Sequence, residues 1–282
     1  MQNGIESFHR PTSVAAAWEL LRDGTTVRAL AGGTDLVTRC PPEVTTLVDL
    51  SGLGLRYVDA EPDGALRLGA MATFTDLLEH PGVARYAGGI LPEMLVHVGS
   101  MLHRNSATIG GHVARGRLSD VVPVLLALDA DVRWFDGEEQ TEPLEEYYDA
   151  ARNRTPHLVL EVLLPTRHAG TAAAFERFSR VAFDHALLNV ACRVDVAEGM
   201  VRDARVVVGE LASLGRPLEP ARQALLDAPP GPDRIAAAAA AASDAADVSG
   251  DWLMTADYRR HLVEVLVTRC LTTAAARAGR DG

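Results

Sequence analysis

The sequence predicts an α+β protein in two parts, an α/β first part and a second part built from an antiparallel sheet and helices. In the first part, short apolar segments of strand character alternate with helical patterns and with two glycine-paired bends. Beyond Pro165, two long segments of alternating hydrophobicity are separated by a hairpin turn. We therefore expect two domains, residues 1–166 and 171–282, with the first divided into subdomains near residue 52.

The first part opens with a predicted helix. Ser13 has the side chain of a helix N-cap, and apolar residues between Val14 and Leu21 recur on one face. Pro123 is compatible with a second helix because it falls in the first turn of the segment 120–128. A further helix is predicted over residues 91–98, and strands over residues 27–31, 46–50, 66–70, 131–135 and 158–164.

The second part has a different pattern. Residues 187–196 and 201–208 alternate in hydrophobicity, and the segment Ala-Glu-Gly-Met between them predicts a hairpin turn. The run Pro-Pro-Gly-Pro at residues 229–232 is a rigid break. Helices are predicted over residues 235–246, where alanine dominates, and 255–276.

Composition and charge exclude several classes of protein. A net charge of −11 opposes a nucleic-acid surface, which needs clustered Lys and Arg. No uninterrupted apolar run approaches the length of a membrane span, and the first residues lack the pattern of a secretory signal. Cys40, Cys192 and Cys270 are isolated from one another in sequence. We expect a globular protein of the reducing cytoplasm.

The two glycine-paired bends are the most informative segments. The first glycine segment, residues 31–36, reads Ala-Gly-Gly-Thr-Asp-Leu, and the second glycine segment, residues 106–112, reads Ser-Ala-Thr-Ile-Gly-Gly-His. Glycine has no Cβ, so the backbone can turn sharply and approach a ligand closely. Main-chain N–H groups in such bends form anion-binding concavities, which suit a diphosphate. Taken singly, either pair is equally compatible with a simple tight turn.

Together the bends form part of a longer set of motifs. Arg-Asn precedes the second glycine segment, and an Asp-x-x-Pro-x-Leu-Leu-Ala-Leu helix pattern follows it. Arg-Val-Ala-Phe-Asp at residues 180–184 and Tyr-Arg-Arg-His-Leu at residues 258–262 extend the set towards the end of the chain. This series resembles the FAD-binding (medium) subunit or domain of the molybdenum hydroxylases, typified by xanthine dehydrogenase and bacterial carbon monoxide dehydrogenase.

The resemblance implies a fold, a cofactor and a site. The fold would be a two-part FAD-binding domain of the para-cresol methylhydroxylase type, followed by an α+β flavoprotein C-terminal domain. The cofactor would be FAD, held by the two glycine segments with Ser119 and Asp120 nearby. The cofactor-binding residues implied are Leu30, Ala31, Gly32, Gly33, Thr34, Asp35, Leu36, Thr108, Ile109, Gly110, Gly111, His112, Ser119 and Asp120.

The sequence departs from the family pattern at the site itself. His112 replaces an Asn, and we expect it to hydrogen-bond a phosphate or ribityl oxygen, more strongly when protonated. Arg115 and Arg117 add two positive charges, which favour a diphosphate or refit the site for another anion. Glu210 replaces part of a small glycine-rich turn and is expected to reshape the pocket.

Two functions are compatible with these observations. The first is an FAD-linked oxidoreductase that passes electrons between a molybdenum or iron–sulfur partner, or a small-molecule substrate, and an acceptor. The second is a stand-alone protein on the same scaffold, with or without flavin, that catalyses a small-molecule oxidation of its own or a non-redox cyclisation or rearrangement in secondary metabolism. The resemblance favours the first.

Other polar residues carry less chemistry. His97, His103 and His112 have no carboxylate or thiol at ligand spacing, so no metal site is expected. Asp184 is expected to cap a helix that begins at His185, and Glu138 with Glu139 to form a solvated turn. No catalytic residue is assigned.

Overall fold

The structure of the protein, a computed structural model, describes residues 4–22, 24–150, 156–182, 184–211 and 216–279. The strands are β1 Ser7–His9, β2 Val27–Leu30, β3 Thr46–Asp49, β4 Val58–Ala60, β5 Leu66–Gly69, β6 Asp131–Phe135, β7 Glu139–Pro143, β8 Leu158–Leu164, β9 Thr171–Phe178, β10 Leu188–Ala197 and β11 Met200–Gly209. The helices are α1 Val14–Leu21, α2 Leu36–Arg39, α3 Phe74–Glu79, α4 Pro81–Arg85, α5 Ile90–Leu95, α6 Met101–Arg104, α7 Ile109–Arg115, α8 Val121–Ala127, α9 Leu144–Ala150, α10 Glu219–Leu225, α11 Pro232–Ala245 and α12 Ala256–Ala278.

Three sheets organise the described chain. The first has three parallel strands in the order β1-β3-β2. The second has five antiparallel strands in the order β4-β5-β8-β6-β7. The third is an antiparallel meander in the order β11-β10-β9. The predicted α+β fold, α/β at the start and antiparallel towards the end, is confirmed.

Local sequence signals account for several element ends. The hydroxyl of Ser13 accepts from the Ala16 N–H, and so caps α1 as predicted. At the start of α3, Thr73 and Asp76 form a reciprocal capping box. Glu198 and Gly199 both have positive φ, at 53° and 73°, and close the predicted hairpin between β10 and β11.

The third sheet is buried on both faces. One face contributes Ala173, Phe175 and Val207 to the large core formed by α3 to α8. The other face packs against α12, where Val190 and Val206 belong to a second core. Because helices cover both faces, β10 is buried over nearly its whole length. A smaller third core lies between α1, the first sheet and β8.

The predicted strands at residues 131–135 and 158–164 are confirmed at both ends. Other expectations are corrected. Glu139, which was expected in a solvated turn, is the first residue of β7, because its backbone pairs with β6. Strand β9 was not predicted from the sequence. Asp184 does not cap a helix: its carboxylate accepts from the His185 N–H, and the chain then runs as a loop into β10. Phe183 of the Arg-Val-Ala-Phe-Asp motif lies outside the described residues.

None of the helices in the described ranges is both long enough and apolar enough to cross a membrane.

Candidate functional site

The two glycine segments are in direct contact. A Cβ placed on Gly32 would lie 1.7 Å from the carbonyl oxygen of Ser106. No side chain fits at such a distance, so Gly32 is required for the two segments to approach each other. Residues that are 74 positions apart in sequence therefore form one continuous wall.

The second glycine segment is helical, which corrects its prediction as a bend. Thr108 caps α7, and Gly110, Gly111 and His112 lie in the first turns of that helix. A Cβ on Gly110 would lie 2.5 Å from the Ala70 Cβ. The lack of a side chain at Gly110 therefore serves the packing of α7 on the end of β5.

All four N–H groups at the start of α7 have partners within the protein. The Ile109 and Gly110 N–H groups donate to the carbonyls of Ala72 and Ala70, both over 3.0 Å. The Gly111 N–H donates to the Thr108 hydroxyl over 3.2 Å, and the His112 N–H to the Thr108 carbonyl over 3.2 Å. The N–H groups of residues 109–112 are thus not free for a ligand.

The first glycine segment is the opposite case. Within the described part of the chain, the N–H groups of residues 32–36 have no hydrogen-bond acceptor. Gly33 has a φ of +70°, a left-handed conformation that glycine adopts without strain. The segment leaves β2 and turns into the single turn of α2, and all of its residues line a cavity.

A cleft of about 480 Å³ lies against this wall. Its apolar side includes Leu50, Met71 and Val159. Its polar side includes Asp35, Arg115 and Glu210, together with five histidines: His97, His103, His112, His157 and His185. Such a volume, with an apolar body and a few convergent polar groups, is typical of a cofactor or small-molecule site.

Most of the residues predicted to bind the cofactor line this cleft: Ala31, Gly32, Gly33, Thr34, Asp35, Leu36, Thr108, Gly110, Gly111, His112 and Asp120. Three lie off its surface. Leu30 is in β2 and pairs with Asp49, and Ile109 is fully buried in the large core. Ser119 lies behind the wall, bonded to His112 and Glu210.

His112 is a neutral, buried side chain. Its ring packs edge-on against Phe74, with ring centroids 4.8 Å apart, and its Nδ1 is 3.0 Å from the Ser119 hydroxyl. Burial lowers the pKa of His112 to about 3, and the nearby Arg115 charge lowers it further. Burial therefore opposes protonation of the ring, and the expected protonated contact to a phosphate stays a prediction.

Glu210 is the group whose charge changes near neutrality. It follows β11 with a φ of +58°, and its carboxylate accepts from the Ser119 N–H over 2.8 Å. Burial raises the pKa of Glu210 to about 7; the Ser119 hydrogen bond opposes this and Asp120 adds to it. Ala212 to Gly215, the rest of the altered turn, lie outside the described residues.

Asp120 connects the cleft to the third sheet. Its carboxylate accepts from the Asn189 amide over 2.7 Å and is 3.3 Å from the Arg177 guanidinium. Arg177 is on β9 and Asn189 on β10, so the start of α8 is fixed against two strands of that sheet.

Arg115 reaches from the end of α7 to the first glycine segment. Its Nη1 is 3.5 Å from the Asp35 carboxylate, which also lies 3.3 Å from Arg39. Its Nη2 is buried and has no hydrogen-bond partner among the described residues. The Arg115 side chain lines the cleft, so its positive charge lies in the cleft wall, where it favours an anionic ligand.

The Arg-Asn pair before the second glycine segment is structural. Arg104 donates to three carbonyls at the end of α5, including that of Gly99 over 2.8 Å. Asn105 is bonded to the Thr75 hydroxyl over 2.6 Å. These contacts hold the backbone that leads into the cleft.

The cleft histidines do not gather around one point. Within the described ranges, no group of three or more His, Cys, Asp or Glu is arranged to hold a metal ion. Sequence reasoning missed His157 and His185 as cleft residues. His185 was predicted as the first residue of a helix, and no motif in the sequence included His157, so neither was predicted to line a cleft.

These features fit the diphosphate of a dinucleotide cofactor. At residues 32–36, N–H groups without an acceptor among the described residues supply donors, Arg115 adds a positive charge, and the apolar side of the cleft suits an aromatic ring system. The fold and the cleft define a two-part α+β protein that binds a dinucleotide.

Comparisons with known proteins specify that class. The model of the FAD binding domain in molybdopterin dehydrogenase matches residues 3–167, and that of the CO dehydrogenase flavoprotein C-terminal domain matches residues 173–274. The chain is 26% identical to the putative xanthine dehydrogenase FAD-binding subunit of Escherichia coli (strain K12), over 97% of each chain. It is 31% identical to the 6-hydroxypseudooxynicotine dehydrogenase complex subunit alpha of Paenarthrobacter nicotinovorans, over 94% of this chain and 93% of that relative.

Solved structures agree. A carbon monoxide dehydrogenase chain from Hydrogenophaga pseudoflava superposes with a TM-score of 0.88 and 27% identity, covering 98% of this chain and 99% of that one. The chain therefore belongs to the family of FAD-binding flavoprotein subunits of the molybdopterin dehydrogenases, and the resemblance stated from its motifs is confirmed. It is an FAD-linked oxidoreductase.

Proposed function

We propose that this chain is the electron-transferring FAD subunit of a multi-subunit dehydrogenase. Bound FAD supplies the redox chemistry, whereas the protein supplies binding, orientation and the local electrostatics. The observation that carries the proposal is the wall formed by the two glycine segments, which lines the cleft and in which the N–H groups of residues 32–36 have no acceptor among the described residues.

We assign the cofactor contacts to the residues that line the cleft. The first glycine segment and Asp120 lie on its surface, and so do Thr108, Gly110, Gly111 and His112 of the second. Leu30, Ile109 and Ser119 act from behind by holding the wall in place. We divide the chain into two domains, residues 1–166 and 171–282, and the spans of the two family models support this boundary. A further subdivision of the first domain lies near residue 52.

The proposed partners are molybdenum and iron–sulfur subunits. Relatives are a medium chain of carbon monoxide dehydrogenase and a subunit of a dehydrogenase complex, and they match nearly the whole length of this chain. All three cysteines are free thiols and none of them lines the cleft, so we propose that the iron–sulfur cluster, which is held by four cysteines, belongs to a partner. Free thiols also support a location in the reducing cytoplasm.

Two measurements on the native protein test this function. The visible spectrum of purified protein, with quantification of the released cofactor, should show near-stoichiometric FAD. Affinity purification of the tagged chain from its native host should recover a molybdenum subunit and an iron–sulfur subunit. Colourless protein that rejects added FAD, recovered alone, would contradict the proposal and favour a stand-alone enzyme on the same scaffold.

A further inference from the structure

The carboxylates on the surface of the cleft are not equally compensated. Among the described residues, three of them are each paired with at least one arginine: Asp35 with Arg39 and Arg115, Asp120 with Arg177, and Asp184 with Arg180. Glu210 also lines the cleft, but it forms no ion pair in the described part of the chain. Its negative charge therefore has to be balanced in another way.

The backbone holds Glu210 at this point of the wall. The residue follows β11 with a φ of +58°, a left-handed conformation that is costly for a residue with a side chain. Its Oε1 accepts from the Ser119 N–H over 2.8 Å, whereas its Oε2 has no hydrogen-bond partner among the described residues. The hydroxyl of the same serine is 3.0 Å from the His112 ring, whose pKa burial lowers to about 3.

The charges around Glu210 leave its protonation finely balanced. Burial raises the pKa of Glu210 to about 7, against the Ser119 hydrogen bond, and the Asp120 charge raises it further. Arg115 and Arg177 oppose this from α7 and β9, but both are already paired with other carboxylates. A change of one charge in the cleft is therefore enough to add or remove the Glu210 proton near neutral pH.

We propose that Glu210 is the proton-exchanging group of the cleft, which takes up one proton from solvent when the bound flavin is reduced and releases it on reoxidation. This inference rests on the proposed function, in which the electrons come from the partner subunits. Two electrons and one proton added to a flavin leave one extra negative charge, and a second proton on Glu210 compensates it. Even at about 10 Å, with an effective dielectric constant of about 20, a unit charge changes a protonation constant roughly 10- to 20-fold.

The test is the midpoint potential of FAD bound to the full-length chain, measured by spectroelectrochemical titration from about pH 5.5 to about pH 9. Below about pH 7, Glu210 is protonated in both oxidation states, so the parent and Glu210→Gln should show the same pH dependence. Above that pH, the equilibrium constant for reduction should fall by an additional factor of about 10 in the parent, or about 30 mV for a two-electron couple. Glu210→Gln should lack this additional fall.

Asp184→Asn is the matched control, because it removes a negative charge from the same cleft. The hydrogen bond from Arg180 lowers the pKa of Asp184, so this carboxylate stays ionised in both oxidation states. Its removal should shift the midpoint potential by the same amount at every pH. A parallel shift thus identifies a lost charge, and a changed slope identifies a lost proton exchange.

Infrared difference spectra of the reduction, recorded at about pH 8, give a second readout. The carbonyl band of a protonated carboxyl group should appear on reduction of the parent and not of Glu210→Gln. Should Glu210→Gln fail to fold, Glu210→Gly also removes the carboxyl group, fits the positive φ, and should lose the same band and the same slope.

The outcomes separate the inference from the function. If the parent binds FAD, but its potentials run parallel to those of Glu210→Gln and the carboxyl band is absent, the inference is overturned and the function stands. The same holds if Asp184→Asn changes the slope as much as Glu210→Gln does. If the parent binds no FAD, both the function and the inference are overturned.

Discussion

The carboxylate of Glu210 accepts a hydrogen bond of 2.8 Å from the backbone N–H of Ser119, across 91 positions of sequence. The Ser119 hydroxyl is in turn 3.0 Å from the ring of His112. The end of the third sheet is thereby joined to the helix that carries the second glycine segment. Burial raises the pKa of Glu210 and lowers the pKa of His112. The two residues should therefore change the stability of the protein with pH in opposite directions.

Glu210 should make the protein less stable as pH rises. Its pKa is about 7 in the folded protein and near 4.5 when exposed, so between these values the folded state binds more protons than the unfolded state. Stability is therefore lost from about pH 4.5 to about pH 7, by at most ~3 kcal/mol, since one pH unit corresponds to about 1.4 kcal/mol. Glu210→Gln keeps an acceptor for Ser119 and should remove this dependence.

Thermal unfolding of the parent and of Glu210→Gln at pH 5, 6, 7 and 8 measures the effect as a difference between the two proteins. Glu138→Gln, at an exposed position, should leave the profile of the parent unchanged. Parallel profiles for the parent and Glu210→Gln would show that Glu210 has no raised pKa.

His112 should act in the reverse direction. Its pKa falls from 6.5 to about 3 on burial, so the folded state binds fewer protons than the unfolded state between these values. Stability is lost as pH falls below about 6.5, and His112→Asn should lose this part of the dependence. His261→Asn, exposed on α12, is the control.

His112 should also leave cofactor affinity independent of pH between about 5.5 and 7.5, because the ring stays neutral there. FAD titrations of the parent and of His112→Asn across this range check it. A pH step in the affinity of the parent that disappears in His112→Asn would revive the protonated contact to the cofactor.

The two glycine segments should differ in their tolerance of alanine. Gly32→Ala places a Cβ 1.7 Å from the Ser106 carbonyl oxygen, which forces the segments apart and should cost at least about 1–3 kcal/mol. Gly111→Ala meets only the Thr108 hydroxyl, at 3.0 Å, and gains helix propensity of about 1 kcal/mol, so its net effect should be small. Denaturant unfolding of the cofactor-free variants compares them. Equal losses at both positions would contradict the contact between the segments.

Arg193 should be among the most sensitive positions outside the cleft. Its side chain is 2% exposed and is bonded to Asp195, to Asp203 over 2.6 Å and to the Ala127 carbonyl over 3.1 Å. Arg193→Met leaves the buried Asp195 carboxylate without its arginine partner and should cost about 3–5 kcal/mol. Arg202→Met, at a half-exposed ion pair on β11, should cost no more than about 1 kcal/mol. Comparable unfolding midpoints for the two variants would contradict this.

Periodicity and punctuation in the sequence predicted much of the fold. The strands at residues 131–135 and 158–164 and the cap at Ser13 were predicted because alternation and capping are local properties. Strand β9 was not predicted, because its sequence Thr-Ala-Ala-Ala-Phe-Glu-Arg-Phe has three consecutive alanines, which favour helix, and no alternation of apolar and polar residues.

The sequence predicted where the site lies, but not which of the two glycine segments keeps N–H groups without an acceptor in the protein. Both glycine segments line the cleft, yet the N–H groups of α7 are used by Ala70, Ala72 and Thr108. Motif spacing cannot show this, since it depends on how the end of β5 packs against α7. The departures at residues 112, 115 and 210 were visible in the sequence, whereas their contacts were not.

The sequence by itself determined the family, the order of the elements and the two places where the backbone lacks side chains, because these depend on residue type and spacing along the chain. Only the tertiary structure decided that burial lowers the pKa of His112 to about 3, that burial raises the pKa of Glu210 to about 7, and that Arg115 lies beside Asp35 in the cleft wall. Burial and the distance between charges set these properties, and both arise when residues far apart in sequence are brought together.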